Sequence, residues 1–265
     1  MKLLWIFAHP EPASLNSSLR GEVIRALRAH RHEVVESDLY AMGWKATVDR
    51  ADFPPTAAGR LSIGDAQESA YRTGGLGADI RAEHEKIAWA DTLVFHFPLW
   101  WFGPPAILKG WLDRVLVQGF AFGVKDEHGR TRRYGDGGLA GKRALVITSV
   151  GARRSSFGPR GIHGFVNDVL FPLHHGTFWY TGMDALPPFV VYGADRFTEP
   201  DFTACADALR ERVLGLESDP PLPFRPERGG DYDDDLVLLP GVAPGATGIA
   251  AHYAVDPANV PATPR

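Results

Sequence analysis

Two stretches of the chain carry residues whose types and spacing could do chemistry. In the first, Trp100, Trp101 and Phe102 follow Pro98-Leu99 and precede Gly103-Pro104-Pro105, so three large aromatics share one short loop. Rings gathered this way suit a flat, conjugated ligand. In the second, His9-Pro10-Glu11-Pro12-Ala13-Ser14-Leu15-Asn16-Ser17-Ser18 sets hydroxyl and amide groups where the free N–H groups of a helix start, and its dipole, can hold an anion. Serines in such a place also serve as helix caps, and aromatics also pack corners, so neither stretch decides the matter alone.

The elements around these stretches place both at the same end of a sheet. Thr92 to Phe97 is an apolar run of strand length that stops at Pro98, which cannot donate to a ladder. Gly103 is expected to let the backbone turn, and Pro104-Pro105 presets a helix with Ile107, Leu108, Trp111, Leu112 and Val115 on its apolar face. Leu3 to Ala8 has the continuous apolar character of a central parallel strand, and a helix from about Leu19 to His30 follows, with Val23, Ile24 and Leu27 inward. A strand is predicted at Glu33 to Ser37. From Gly43 to Gly77 the pattern is irregular, an excursion lying over the sheet edge or over a ligand. Asp79 to Ala90 reads as a helix with Ile80, Ile87 and Ala90 inward and Arg81, Glu83, Glu85 and Lys86 outward. Further strands are predicted at Arg143 to Ser149 and Ala185 to Tyr192, and further helices at Phe165 to His174 and Asp201 to Leu216. Five β-then-α units imply an α/β fold: a doubly wound, five-stranded parallel sheet with helices on both faces. Residues 1–216 would form that domain, and 217–265, rich in Pro, Gly and Asp, an irregular C-terminal extension packing on a second subunit.

Composition narrows the function classes. The 265 residues are 45% hydrophobic with a formal net charge of -4 and mixed charges throughout, which gives no nucleic-acid or polybasic membrane surface. No apolar run approaches the roughly 20 residues of a membrane span, and Met1-Lys2-Leu3 enters a strand pattern with no signal peptide, so a cytoplasmic protein is expected. Cys205 is the single cysteine, which rules out an intrachain disulfide. No metal site is expected: Asp231, Asp233, Asp234 and Asp235 lack the glycine turn and distal glutamate of a calcium loop, and His174-His175 have no third ligand at zinc spacing. The dinucleotide glycine fingerprint, the P-loop lysine pattern and the Gly-x-Ser-x-Gly elbow are all absent.

Three motifs converge on one family. Val34 to Met42 (V-V-E-S-D-L-Y-A-M), Phe97 to Trp111 (F-P-L-W-W-F-G-P-P-A-I-L-K-G-W) and Gly161 to Gly164 (G-I-H-G), the last before a helix closing in F-P-L-H-H-G, resemble the flavodoxin-like NAD(P)H:quinone oxidoreductases, the DT-diaphorase group. The resemblance covers roughly residues 3 to 225 and implies a homodimer with FAD at the subunit interface, FMN being less expected. It also implies a ping-pong exchange, in which NADPH or NADH gives a hydride to the flavin and leaves before a quinone or related aromatic acceptor takes it from the same pocket. By position, it makes His9, Ser14, Leu15, Asn16 and Ser17 the hold on the FAD pyrophosphate and ribityl chain, with Gln67 touching the same part. Pro98, Leu99, Trp100, Trp101 and Phe102 would cup the isoalloxazine ring, and Thr148, Ser149 and Gly151 would meet its pyrimidine edge, where loop N–H groups stabilise negative charge.

The chain leaves its family at the residues that would handle substrate. A tyrosine that commonly precedes the loop histidine is Phe157 here, which cannot donate a hydrogen bond, so His163 is expected to act alone or through a water. Phe122 and Val124 stand where longer members present tyrosines to the partner's pocket, and Tyr180 falls at an aromatic pocket wall. Arg153 and Arg154 are either a solvated pair or a hold for an anion, such as the 2′-phosphate of NADPH or a carboxylated substrate. These departures fit a specialised metabolite as acceptor. They also admit a flavin-containing regulatory subunit of a potassium-efflux type transporter, or a one-electron FMN carrier.

Overall fold

The computed structural model describes residues 1–54 and 60–255, and the part of the predicted excursion at 55–59 and the end of the extension at 256–265 lie outside the described residues. Strands β1 (Lys2–Phe7), β2 (Glu33–Asp38), β3 (Thr92–Pro98) and β4 (Arg143–Val150) form the sheet together with two short segments, β5 (Asp184–Ala185) and β6 (Phe189–Tyr192). Every pairing is parallel, in the order β2-β1-β3-β4-β5, and β6 also pairs with β4. The last predicted strand is thus one strand position in two pieces. Pro187 and Pro188 separate them, because proline has no N–H for the ladder.

Alternation along β1 shows how the layers are built. Leu3, Trp5 and Phe7 face a cluster under helices α1 (Leu15–Ala29) and α7 (Glu199–Leu214), which supply Leu19, Val23, Leu27, Leu209 and Val213. Leu4, Ile6 and Ala8 face the opposite cluster, under α3 (Ala78–Trp89) and α4 (Ala106–Val115), with Ile80, Ile87, Leu108 and Trp111. Both faces of the central strands are therefore dry, which is why those strands read as continuous apolar runs.

Several predicted boundaries move for identifiable reasons. Helix α1 begins at Leu15, four residues before the expected start, because the Ser14 hydroxyl accepts the Ser17 N–H and caps it. The excursion contains a helix, α2 (Ile63–Thr73), closed by Gly74 at φ 70°. Glu83, expected to face outward, is fully buried: its carboxylate accepts hydrogen bonds from Ser37 Oγ at 2.8 Å and Trp111 Nε1 at 2.8 Å and pairs with Lys86 Nζ at 2.6 Å. The helix expected over Phe165 to His174 is broken into α5 (Val166–Val169) and α6 (Phe171–Leu173), followed by a π-helical turn, His174–Trp179.

The extension packs in part on its own chain rather than only on a neighbour. Leu222, Phe224 and Tyr253 are buried in the cluster under α3 and α4, and Phe224 and Tyr253 pair across an isolated bridge with rings 4.7 Å apart. Among the described residues no helix is long and apolar enough to cross a membrane.

Candidate cofactor crevice and active site

The sheet order is that of flavodoxin-type folds, whose ligands bind beyond the carboxyl ends of the strands where the winding reverses, here between β1 and β3. A cavity of about 420 Å³ opens there, its walls including His9, Ser14, Asn16, Trp100 and Ser149. A second cavity, of about 220 Å³, shares Leu99, Val150 and Gly151 with it and continues to Trp101, Phe102, Phe157 and His163. Leu15 and Pro98 also line the larger one. The two predicted stretches therefore meet in one crevice.

Its anion-holding end is built by α1. That 15-residue helix has no acidic side chain in its first turn, so its positive end is not neutralised from within. His9 Nδ1 accepts the Glu11 N–H at 3.1 Å, and burial lowers the pKa of His9, so a neutral ring carries its proton on Nε2 and can donate. The Ser17 hydroxyl bonds the Glu11 carbonyl at 3.1 Å and Ser14 Oγ, shaping the loop rather than lining the cavity.

Asn16 is oriented from below by a residue the sequence reading passed over. His96, fully buried in the middle of β3, donates from Nε2 to Asn16 Oδ1 at 3.1 Å, and Asn16 Nδ2 donates to Ser149 Oγ at 2.9 Å. Burial pushes His96 down to about 3, so it is a neutral donor at ordinary pH. The one signal available was a polar side chain inside an otherwise apolar run.

The aromatic end is held in an unusual backbone. Trp100 and Gly103 exchange both N–H to carbonyl bonds at 3.0 Å, and the residues between them, Trp101 and Phe102, have φ of 51° and 59°. Two left-handed central residues are the pattern of a type I′ turn, for which glycine and asparagine are the usual choices. The left-handed positions are therefore the aromatics and not Gly103. Each costs about 1 to 3 kcal/mol, a strain found where a loop must present its side chains. Trp101 is 98% exposed and Phe102 half exposed.

Across the crevice, Phe157 is buried, with its ring 5.0 Å from that of His163 and 6.3 Å from that of Phe102. Tyr192, at the end of β6, packs against Phe157 at 6.0 Å and lies under the Arg154 guanidinium at 5.3 Å. Arg153 and Arg154 are exposed beside this segment. Four lining residues, Val150, Ala152, Ala194 and Asp195, were not foreseen. The Asp195 carboxylate occupies the space beside Gly151 that a side chain there would enter, so a larger residue at 151 would push that carboxylate aside.

Other predicted residues lie elsewhere. Thr148 is fully buried, and its hydroxyl donates to the Phe97 carbonyl at 2.8 Å, tying β4 to β3. The Gln67 amide spans the Asp113 carbonyl and the Gln118 N–H, both at 3.4 Å, away from the crevice of its own chain. Phe122, Val124 and Tyr180 also stand apart, in the loop after α4 and at the end of the π-helical turn. Among the described residues no group of three His, Cys, Asp or Glu side chains could hold a metal ion.

Comparison with known proteins defines the class. A family model described as a flavodoxin-like fold matches residues 1–213, and the chain belongs to this family. Within it, the chain is 45% identical over 243 residues to the ribosyldihydronicotinamide dehydrogenase-like protein traD of Penicillium crustosum, covering 90% of each. It is 35% identical to NAD(P)H dehydrogenase [quinone] 1 of Rattus norvegicus, over 85% of this chain and 81% of that one. A crystal structure of a Klebsiella pneumoniae protein assigned as a quinone reductase superposes with a TM-score of 0.92 at 45% identity, covering 96% of this chain and 100% of the other.

Proposed function

We propose that this protein is a flavin-dependent NAD(P)H:quinone oxidoreductase that binds FAD in the crevice and reduces a quinone or a related aromatic acceptor by two electrons in a ping-pong cycle. The observation that carries this reading is the meeting, in one crevice, of a capped helix start with free donors and a strained, solvent-facing aromatic turn opposite His163. The relatives named above are dehydrogenases, and none of them is a transporter subunit.

The residues present suit the cofactor. His9 Nε2, the first-turn N–H groups of α1 and Ser14 would hold an anionic diphosphate. The faces of Trp101 and Phe102 and the backbone of Pro98 to Trp100 would hold the ring system, with Ser149 and Gly151 at its polar edge. A bound flavin would supply the electron chemistry. The chain's own contribution is to orient donor and acceptor by turns over the same aromatic floor, to keep bulk water from it, and to move a proton at the imidazole of His163. Phe157 offers no hydroxyl beside that imidazole, which leaves His163 as the proton-handling group.

A homodimer completes the reading. Trp101 and Ile162, 98% and 91% exposed, form an apolar rim at the mouth of the crevice that a second copy would cover. Phe122, Val124 and Tyr180 lie away from their own crevice, a placement consistent with service to a partner's site, whereas the amide of Gln67 is buried and bonded within its own chain. The test is steady-state oxidation of NADPH, NADH and dihydronicotinamide riboside with menadione by FAD-loaded protein, with the bound flavin identified by mass spectrometry. Absence of flavin binding together with absence of turnover for all three donors would end the proposal.

A further inference from the structure

The segment that joins two walls of the smaller cavity is basic and has no counter-charge. Ala152 and Phe157 both line that cavity, and the residues between them begin with Arg153 and Arg154. Arg160 follows in the same loop, before His163, and the chain has no Asp or Glu from Gly137 to Asn167 although its net charge is -4. All three arginines are exposed, and among the described residues no carboxylate pairs with any of them. By contrast, Arg20, Arg114, Arg133 and Arg225 each reach an aspartate or glutamate within 2.7 Å. Asp195 stands beside Gly151 without pairing to the loop, and its neighbour Arg196 donates to the Gly151 carbonyl at 2.9 Å.

An exposed, unpaired arginine is ordinarily just solvated. Two observations set this pair apart. The Arg154 guanidinium lies over the ring of Tyr192 at 5.3 Å, Tyr192 packs on Phe157 at 6.0 Å, and Phe157 lies 5.0 Å from His163, so a chain of rings holds the cation in a fixed relation to the imidazole. The backbone does the same for Arg153. Its carbonyl accepts the Ser156 N–H at 3.1 Å and the Ser156 hydroxyl at 2.6 Å, while the Ser156 carbonyl accepts the His163 N–H at 3.0 Å.

The lining inside and the rim outside are chemically different. Leu99, Trp101, Phe102 and Phe157 make the interior apolar, and His163 is its one titratable group. A planar ring seated there keeps its apolar body within and has to place a charged substituent at the rim, beside the arginines. A guanidinium fork matches a planar oxyanion and stays charged at every physiological pH. The 2′-phosphate of NADPH hangs from adenosine, at the far end of the dinucleotide from its reacting ring. Arg153 and Arg154 stand one and two residues from a wall of the ring cavity, which favours an anion carried on the acceptor's own ring system.

We propose that Arg153 and Arg154 determine specificity by selecting, as electron acceptor, a quinone-like aromatic that bears a carboxylate or a similar oxyanion. This inference rests on the quinone-reductase reading above and names the class of acceptor.

The test compares 1,2-naphthoquinone with 1,2-naphthoquinone-4-sulfonate, one ring system without and with an oxyanion, as acceptors for the full-length, FAD-loaded protein with NADH. In the double variant Arg153→Gln, Arg154→Gln, the ratio of kcat/KM for the sulfonate to that for the neutral quinone should fall about five- to tenfold, through KM, as expected for two exposed charge pairs. The wild-type ratio should also shrink as ionic strength rises from about 0.01 M to about 0.15 M and the screening length contracts from about 30 Å to about 8 Å, a response that a merely structural role would not give. Arg31→Gln, which removes an exposed cation from the turn between α1 and β2 at the opposite end of the sheet, should leave the ratio unchanged. An unaltered ratio in the double variant, or an equal fall in Arg31→Gln, would overturn the proposal. So would a KM raised for NADPH against NADH with the acceptor ratio intact, which would assign the pair to the donor. Should the wild type turn over neither acceptor, the enzymatic reading has failed, and isothermal titration with naphthalene-2-sulfonate decides the arginines. Weaker binding in the double variant then upholds the anion site, and equal affinity removes it.

Discussion

The imidazole of His96 donates from Nε2 to Oδ1 of Asn16 across 3.1 Å, joining the buried middle of β3 to the first turn of α1. Since Asn16 passes its own donor to Ser149 at 2.9 Å, three residues on three elements set the crevice floor in one orientation. His96→Leu removes the donor and leaves the Asn16 oxygen buried without a partner, which costs about 1 to 3 kcal/mol. Flavin affinity, read by quenching of flavin fluorescence, should fall by roughly 5- to 150-fold on that scale, and His96→Gln, which can still donate, should recover most of it. Equal affinities in the wild type and the Leu variant would remove the orienting role.

Stability should fall on mild acidification. His96 and His174 are fully buried and held neutral, each pushed down to about 3, whereas an unfolded histidine protonates near 6.5. Below that value the unfolded chain binds more protons than the fold, so stability is intact above about pH 6.5 and is lost as the pH drops toward 3. Each residue contributes a slope of at most about 1.4 kcal/mol per pH unit, or roughly 2 kcal/mol by pH 5. Urea unfolding at pH 7, 6 and 5 measures this, and His96→Gln should flatten its share of the slope. A pH-independent midpoint over that range would contradict the assignment.

The strained turn predicts a trade between stability and activity. Trp101 is almost wholly exposed and left-handed, so Trp101→Gly relieves backbone strain while losing little packing. The variant should unfold at least as high in temperature as the wild type, with a gain of up to about 1 kcal/mol, while turnover with menadione drops by about tenfold or more. A variant that is less stable and fully active would reverse this reading of the turn.

At the proton-handling position, His163→Ala should slow flavin reduction by NAD(P)H about 10- to 100-fold in stopped-flow traces. Phe157→Tyr adds a hydroxyl to a ring whose centre lies 5.0 Å from that of His163 and should hasten the same phase. Unaltered traces in both variants would take His163 out of the mechanism.

The layers were legible in the sequence because the strands that form the sheet's centre are dry on both faces, and dryness leaves an unbroken apolar run such as Leu3 to Ala8. The aromatic loop and the Ser14 to Ser17 segment were legible as chemistry for a related reason: they sit at strand ends, where packing does not demand such residues. What escaped depended on contacts between distant parts of the chain. Glu83 reads as a surface residue by helical spacing, and only the arrival of Ser37 and Trp111 makes its burial tolerable. Asp195 enters the crevice because Gly151 leaves room for it, a complementarity across 44 positions that no local pattern reveals. The left-handed conformation fell on Trp101 and Phe102 although Gly103 was at hand, because the paired bonds between Trp100 and Gly103 fix where the turn's centre lies.

That extension bears on how the chain is made. Leu222, Phe224 and Tyr253 fill out the cluster beneath α3 and α4, so an apolar layer whose other members come mostly from the first 190 residues stays unsealed until position 253 has cleared the ribosome. A nascent chain holding β1 to β6 but lacking Tyr253 would show a wet, sticky flank, so C-terminal truncations should be prone to aggregate.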